Sequence, residues 1–302
     1  MKKLSVSVVL FFSITTLRAQ KIDDLIKLSE VERIEKALAS DDMRGRKTFT
    51  PDIDKAADFI AAEFKAIGLQ PWGDGTNYRQ EFVMVRTKFI SAAAQLDGVS
   101  MEQKNIIAVT CQPQLKFDQN SGYEKAFIKE GANLQTEARK LIRSNKNLLV
   151  LVNNSYASNF GNLARLKSSM FKTNTNVVFI LTDTDPNTWS IEAAHEITEQ
   201  KMANVVGLLP GKSKKDEYVV FSGHYDHLGV GKPVNGDSIY NGANDDAAGT
   251  TAVIMLAKYF KQVNNNERTV MFVAFTAEEI GGFGSQYFSR QLEAGKVMAM
   301  FN

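Results

Sequence analysis

Tyr218-Val219-Val220-Phe221-Ser222-Gly223-His224-Tyr225-Asp226-His227 runs from an apolar stretch directly into two histidines and an aspartate. Further on, Val270-Met271-Phe272-Val273-Ala274-Phe275 leads in the same way into Thr276-Ala277-Glu278-Glu279. Short apolar runs rich in Val and Phe read as buried strands. Between them stands Gly242-Ala243-Asn244-Asp245-Asp246-Ala247-Ala248-Gly249. Carboxylates and imidazoles at the ends of buried strands are costly to desolvate without a partner. A divalent metal ion is the simplest partner that stabilises all of them at once.

Working outward, residues 250–263 have the spacing of an amphipathic helix, with Val253, Leu256, Ala257 and Phe260 on one face, and 284–292 read as a shorter one. Residues 204–210 read as a strand. Upstream, 31–39 are helical, and the polar stretch 41–46 breaks the pattern. A helix over 54–67 carries Ala56, Ala57, Ile60, Ala61 and Phe64 on one side and stops at Gly68. A strand follows at 81–85. This alternation predicts an α/β fold: a mixed, mostly parallel central sheet flanked by helices.

Residues 91–200 differ in character. Strands are expected at 106–109, 148–152 and 177–181, and helices at 123–143 and 162–170, with no cluster of acids and histidines. We read this stretch as an inserted α/β accessory region, a candidate for gating substrate entry. Its basic residues Arg139, Lys140, Arg143 and Lys146 fit a solvated helix face. His195 is expected on the surface of a polar helical stretch. The domain expectation is therefore a leader at 1–19, a catalytic domain from 20–90 and 201–302, and the insertion at 91–200.

Composition excludes several function classes. Of 302 residues, 44% are hydrophobic and 23% charged, which is ordinary for a soluble globular chain. The single cysteine, Cys111, rules out a disulfide framework and a thiolate-rich zinc site, and is expected to pack as a small apolar residue. Lys2 and Lys3 followed by an apolar run over 4–17 and by Ala19 have the pattern of a secretory signal peptide. That run is too short to span a bilayer comfortably, so no stable membrane anchor is expected after cleavage. Secretion or a periplasmic location follows as the expectation. Removing Lys2, Lys3 and Arg18 takes the formal charge from +2 to −1, so nucleic acid is not an expected partner.

Each site residue has a plain alternative. His224 alone is as readily a satisfied core histidine as a ligand. At a strand end, residues two apart point the same way, so Asp226 is placed to hold the His224 imidazole from behind. His227 is left as a supporting or substrate-facing residue, because two histidines three apart on a turn are not a dependable zinc spacing. Asp246 suits a helix cap, which leaves Asp245 projecting from the loop, where it could bridge two metal ions. Glu278 and Glu279 precede a glycine-rich turn at the carboxyl end of a buried strand, where α/β sheets place their sites. One can hold metal while the other takes a proton from the attacking water, the division metal-assisted hydrolysis needs. No Gly-x-Ser-x-Gly elbow is present, and Gly229-Val230-Gly231 lacks the rest of a dinucleotide fingerprint.

Taken together, these motifs resemble metallopeptidase family twenty-eight, a family of zinc aminopeptidases with carboxypeptidase and glutaminyl cyclase relatives. The resemblance covers roughly 40–90 and 200–302. It rests on Arg44-Gly45-Arg46, Phe64-Lys65-Ala66-Ile67-Gly68-Leu69, Asn204-Val205-Val206-Gly207, the His224 and Asp245 motifs, and Ala277-Glu278-Glu279-Ile280-Gly281. It implies zinc ligation by His224, by Asp245 as the bridge between two ions, and by Glu279. It also implies Glu278 as general base and Asp226 as the residue that orients His224. Peptides are the implied substrates and release of N-terminal residues the implied activity. Carboxypeptidase or cyclase chemistry, or an inactive binding role, are the alternatives. The family also uses an acid and a distal histidine that would fall after Asn302, and no histidine follows His227, so two protein ligands per zinc are expected within this chain.

Overall fold

A computed structural model describes residues 22–73 and 77–302. The segment 1–19, expected to be a signal peptide, lies outside the described residues. After a single helical turn at Ile22–Leu25 come helix α1 (Leu28–Leu38) and helix α2 (Pro51–Ile67). Pro51 starts α2 where its missing N–H costs nothing, and Gly68, at φ 78°, ends it in the left-handed region. The face of α2 that carries Ile53, Ala56, Ala57, Ile60 and Phe64 is buried. The larger of these side chains contribute about 1.5–3 kcal/mol each by leaving water.

The strands follow as β1 (Arg79–Leu96), β2 (Ile106–Val109), β3 (Gln114–Asp118), β4 (Glu124–Ile128), β5 (Leu148–Val152), β6 (Val177–Leu181), β7 (Trp189–Leu209), β8 (Lys214–His224), β9 (Gly229–Val234), β10 (Asp237–Tyr240), β11 (Arg268–Phe275) and β12 (Val297–Phe301). Helix α3 is Leu134–Ile142, α4 is Ala248–Val263 and α5 is Phe283–Ser289. The main sheet runs β12–β8–β11–β7–β1, and β3 joins it on β7. The fold is the mixed α/β sheet flanked by helices that the sequence predicts, but most strand pairs of the main sheet are antiparallel rather than parallel. Its parallel pairs, β8 with β11 and β8 with β12, lie together at one side. The long β1–β7 ribbon is antiparallel.

Strand β11 shows why its run is apolar throughout. Val270, Phe272 and Ala274 face a core built by α1, α2 and α4, whereas Met271, Val273 and Phe275 face a second core with Phe288 of α5. A strand covered on both faces has no solvated side to mark with polar residues. In the β8–α4–β11 crossover the register sets His224 opposite Phe275. The polar residues after each strand thus emerge at the same sheet edge, and β12 reaches that edge too, with Phe301 opposite Phe221.

A second sheet, β2–β6–β5–β4, forms from residues between 106 and 181. One of its faces packs on Leu134 and Ala138 of α3 and on the 3₁₀ helix Phe160–Lys167. The other packs on Ala92, Ala94 and Leu96 of β1 and on Ile191 and Ala193 of β7.

Three local expectations change. Residues 123–143 are not one helix: β4 pairs in parallel with β5, Gly131 turns the chain at φ 82°, and α3 begins only at Leu134. The strand expected at 81–85 spans Arg79–Leu96, because β7 pairs with it along its whole length and supplies its backbone partners. His195 is neither helical nor on the surface. It sits in β7 and is 2% exposed. Trp189, Ile191, Ala193 and His195 alternate with outward residues, and that period of two was the available signal.

Candidate metal centre

Three segments bring the polar residues together, each fixed by the main chain. The first continues β8. Tyr225 donates its N–H to the Phe275 carbonyl (2.9 Å), so the chain stays attached to β11 for one more residue and then turns. The second is the loop from Gly242, at φ 61°, to the start of α4; within it the Asp245–Asp246 peptide is cis. The third is the turn after β11, where Ala277 adopts φ 58° with its side chain fully buried. A left-handed alanine persists only where its surroundings over-determine it. Here Phe283 donates its N–H to the Ala277 carbonyl (3.0 Å), and the buried Asp226 carboxylate accepts from the N–H groups of Glu278 (3.0 Å) and Glu279 (3.2 Å).

Asp226 therefore lies close behind His224, but its carboxylate bonds the glutamate turn. His224 Nδ1 is 3.1 Å from the Asp226 main-chain carbonyl and 3.7 Å from its carboxylate. On the other side of the ring, Nε2 lies 3.0 Å from Asp245 Oδ1 and 3.9 Å from Glu278 Oε2. His227 Nδ1 lies 2.8 Å from Glu279 Oε1. One ligand atom from each of His227, Asp245 and Glu279 lies within 4.8 Å of the others. Asp245 thus stands between His224 on one side and the His227–Glu279 pair on the other. The Asp245 and Glu278 side chains are open to solvent, at 61% and 54%, while both imidazoles and Glu279 are largely covered.

Three residues without a metal role in the sequence analysis build this arrangement. Asp246 Oδ2 accepts from the His224 N–H (3.0 Å) and Oδ1 from the Gly249 N–H (2.9 Å), which ties the end of β8 to the first turn of α4. A Cβ on Gly249 would lie 2.1 Å from Asp246 Oδ1, so only glycine allows that approach. Arg46 is fully buried, and its guanidinium donates to the carbonyls of Tyr225 (2.7 Å), Asn241 (2.6 Å) and Gly242 (2.9 Å). It staples the His224 loop to the Asp245 loop. His227 joins the ligand group because the main chain folds back there, with its N–H on the Arg46 carbonyl (3.2 Å). Sequence spacing carries no trace of that reversal, and a buried arginine reads like an exposed one.

The donor set fits a divalent cation. Two imidazoles and three carboxylates face one another, and among the described residues no Lys or Arg forms an ion pair with Asp245, Glu278 or Glu279. The surplus negative charge shows in His224. Burial lowers its pKa, but Asp226, with Asp246 and Glu278 beyond it, outweighs burial and raises it to about 9. A metal ion would neutralise the same surplus. Oxygen and imidazole donors without thiolate suit zinc among other first-row ions.

A mixed sheet whose adjoining parallel strand ends gather such donors gives an α/β protein with a candidate carboxylate–imidazole metal centre. Residues 204–302 match the model of peptidase family M28. A probable zinc metalloprotease of Pyricularia oryzae is 37% identical over 97 residues, which is 32% of this chain and 19% of the relative. The aminopeptidase YwaD of Bacillus subtilis is 30% identical over 92 residues, 30% of this chain and 18% of the relative. The matches thus span about a fifth of the length of these curated relatives. Among solved structures, the aminopeptidase from Aneurinibacillus sp. strain AM-1 is similar at 16% identity with a TM-score of 0.48, over 93% of this chain and 70% of the other.

Proposed function

We propose that this protein belongs to an exported zinc peptidase that hydrolyses peptide bonds and releases N-terminal residues, with two zinc ions sharing one centre. The observation that carries this is the position of Asp245, with His224 3.0 Å away on one side and His227 and Glu279 gathered on the other. The names of the relatives, a zinc metalloprotease and an aminopeptidase, agree with it. Export is carried by the Lys2–Ala19 pattern alone. Among the described residues no helix is long and apolar enough to cross a membrane.

In this proposal His224, His227, Asp245 and Glu279 would hold the zinc, with Asp245 standing between His224 and the His227–Glu279 pair. When bound, zinc supplies a Lewis acid that polarises the peptide carbonyl and makes water more acidic. Glu278 takes the proton from the attacking water at its solvent-facing carboxylate and delivers it to the departing amine. Its half-exposed position leaves it free to do so, whereas Glu279 is held against His227. Asp226 keeps both glutamates in place through their N–H groups.

The test is release of free amino acids from unblocked peptides. A strong chelator should abolish release, and zinc or cobalt should restore it. Full activity in excess chelator would refute a metal-dependent peptidase. Release from the carboxyl end of N-terminally blocked peptides would replace the aminopeptidase assignment with a carboxypeptidase one.

A further inference from the structure

A cleft of about 960 Å3, lined at one end by Ile280, the residue that follows Glu279, plays no part in the proposed chemistry. One wall is built by α3, by the 3₁₀ helix Phe160–Lys167 and by the segment that follows it. The other begins at Ile280, the residue next to Glu279. Its volume falls at the upper end of ligand sites and has room for several peptide residues. The cationic side chains along it are Arg139, Arg143, Arg165, Lys172 and Arg290, and among the described residues no carboxylate lines it.

These cations are unequally engaged. Lys172 pairs with Glu199 at 2.7 Å, and the Arg290 guanidinium lies 4.7 Å above the Phe171 ring. Their sequence neighbours on the α3 segment are also spent: Lys140 pairs with Glu137 (3.8 Å) and Lys146 with Glu124 (2.7 Å). Arg139, Arg143 and Arg165 have no carboxylate within 4.0 Å among the described residues. Uncompensated guanidinium groups around one cleft repel one another, and each presents a planar fork that suits a carboxylate.

We infer that this cleft is a carboxylate subsite of the peptidase, taking the part of the peptide that extends beyond the metal centre. The chemistry it recognises is a peptide carboxylate, from acidic side chains or from the free C-terminus of a short peptide. The inference rests on the peptidase reading of the neighbouring centre. It also gives the insertion a part in choosing substrates, since Arg139, Arg143 and Arg165 all lie within 91–200.

The experiment measures binding of labelled hexapeptides whose first bond is a non-cleavable reduced amide, at low and high salt, to the full protein. One peptide carries Glu at its later positions and a C-terminal amide. The second replaces Glu with Lys. The third is neutral with a free C-terminal carboxylate, and the fourth is neutral and amidated. The Glu peptide should bind at least about tenfold more tightly than the neutral amide, the sum expected for three modest ion pairs. The Lys peptide should bind weakest, and high salt should narrow the gap. Tighter binding confined to the third peptide would assign the subsite to the C-terminal carboxylate. The combined variant Arg139→Gln, Arg143→Gln, Arg165→Gln should erase the preference with an unchanged melting temperature. These side chains are exposed; if the triple variant unfolds, Arg139→Gln alone should still reduce it. Equal binding of all four peptides, or a preference unchanged in the variants, overturns the subsite. Cleavage of the corresponding ordinary peptides separates the two claims. Hydrolysis without carboxylate preference removes only the subsite. Selective binding without hydrolysis keeps the anion site but sinks the peptidase reading.

Discussion

Glu278 and Glu279 share one turn and meet different surroundings, and that difference predicts separable defects. Glu279 rests on His227, while Glu278 faces solvent 3.9 Å from His224. Glu278→Gln should keep its metal and lose turnover by roughly a hundredfold, as expected for removal of a general base. Glu279→Gln should lower metal content as well, measured by elemental analysis after dialysis. Metal and activity retained in both variants would break the assignment at its centre. Arg46 makes a different prediction, because its guanidinium satisfies carbonyls in both ligand loops. Arg46→Met should cost roughly 2–4 kcal/mol by stranding buried acceptors of a charged donor. The readout is the urea midpoint at constant slope. An unchanged midpoint would mean that those carbonyls reach other partners.

At the scale of elements, the long β1–β7 ribbon buries a basic pair where the main sheet meets the second one. Lys167 Nζ lies 3.3 Å from His195 Nε2 and 4.6 Å from the Phe89 ring centroid. Burial lowers the Lys167 pKa from the ordinary 10.5 to about 8. Burial, then the nearby Lys167 charge, lowers His195 to about 4. Both groups bind protons more weakly in the folded state than in the unfolded one. Stability should therefore rise as pH climbs from about 8 towards 10.5, and fall as pH drops from 6.5 towards 4. Lys167→Met should flatten the alkaline rise and raise the melting temperature at neutral pH, as followed by circular dichroism. A slope above pH 8 identical to that of the parent would rule out Lys167 as its source.

For the whole molecule, the candidate metal centre joins segments far apart in sequence, from Arg46 through His224 and Asp245 to Glu279. Anything that binds it in the folded state alone must stabilise the fold by mass action. Free zinc at a hundred times its dissociation constant should add about 2.7 kcal/mol, and chelator should remove it. Calorimetry with and without chelator tests this: equal melting temperatures would show that no ion binds there. The same linkage should weaken in Glu279→Gln and persist in Glu278→Gln.

The sequence by itself determined the strands around 218–224 and 268–275, the α2 and α4 helices, and the α/β class, because each rests on a local period or cap. It also named the acids and the histidine at those strand ends, since polar groups directly after buried runs are rare and costly. It missed the inward alternation of 189–195, whose inward positions end in a histidine that reads as polar rather than buried. The split of 123–143 escaped because β4 exists only through pairing with β5. Tertiary structure alone decided that His227 turns towards Glu279, that Asp226 grips a backbone turn, and that Arg46 is buried between two loops. It alone placed Arg139, Arg143 and Arg165 around one cleft beside Ile280. Those facts depend on distances between residues tens to hundreds of positions apart. Such distances are set by strand pairing and packing, and leave no periodic mark on the chain.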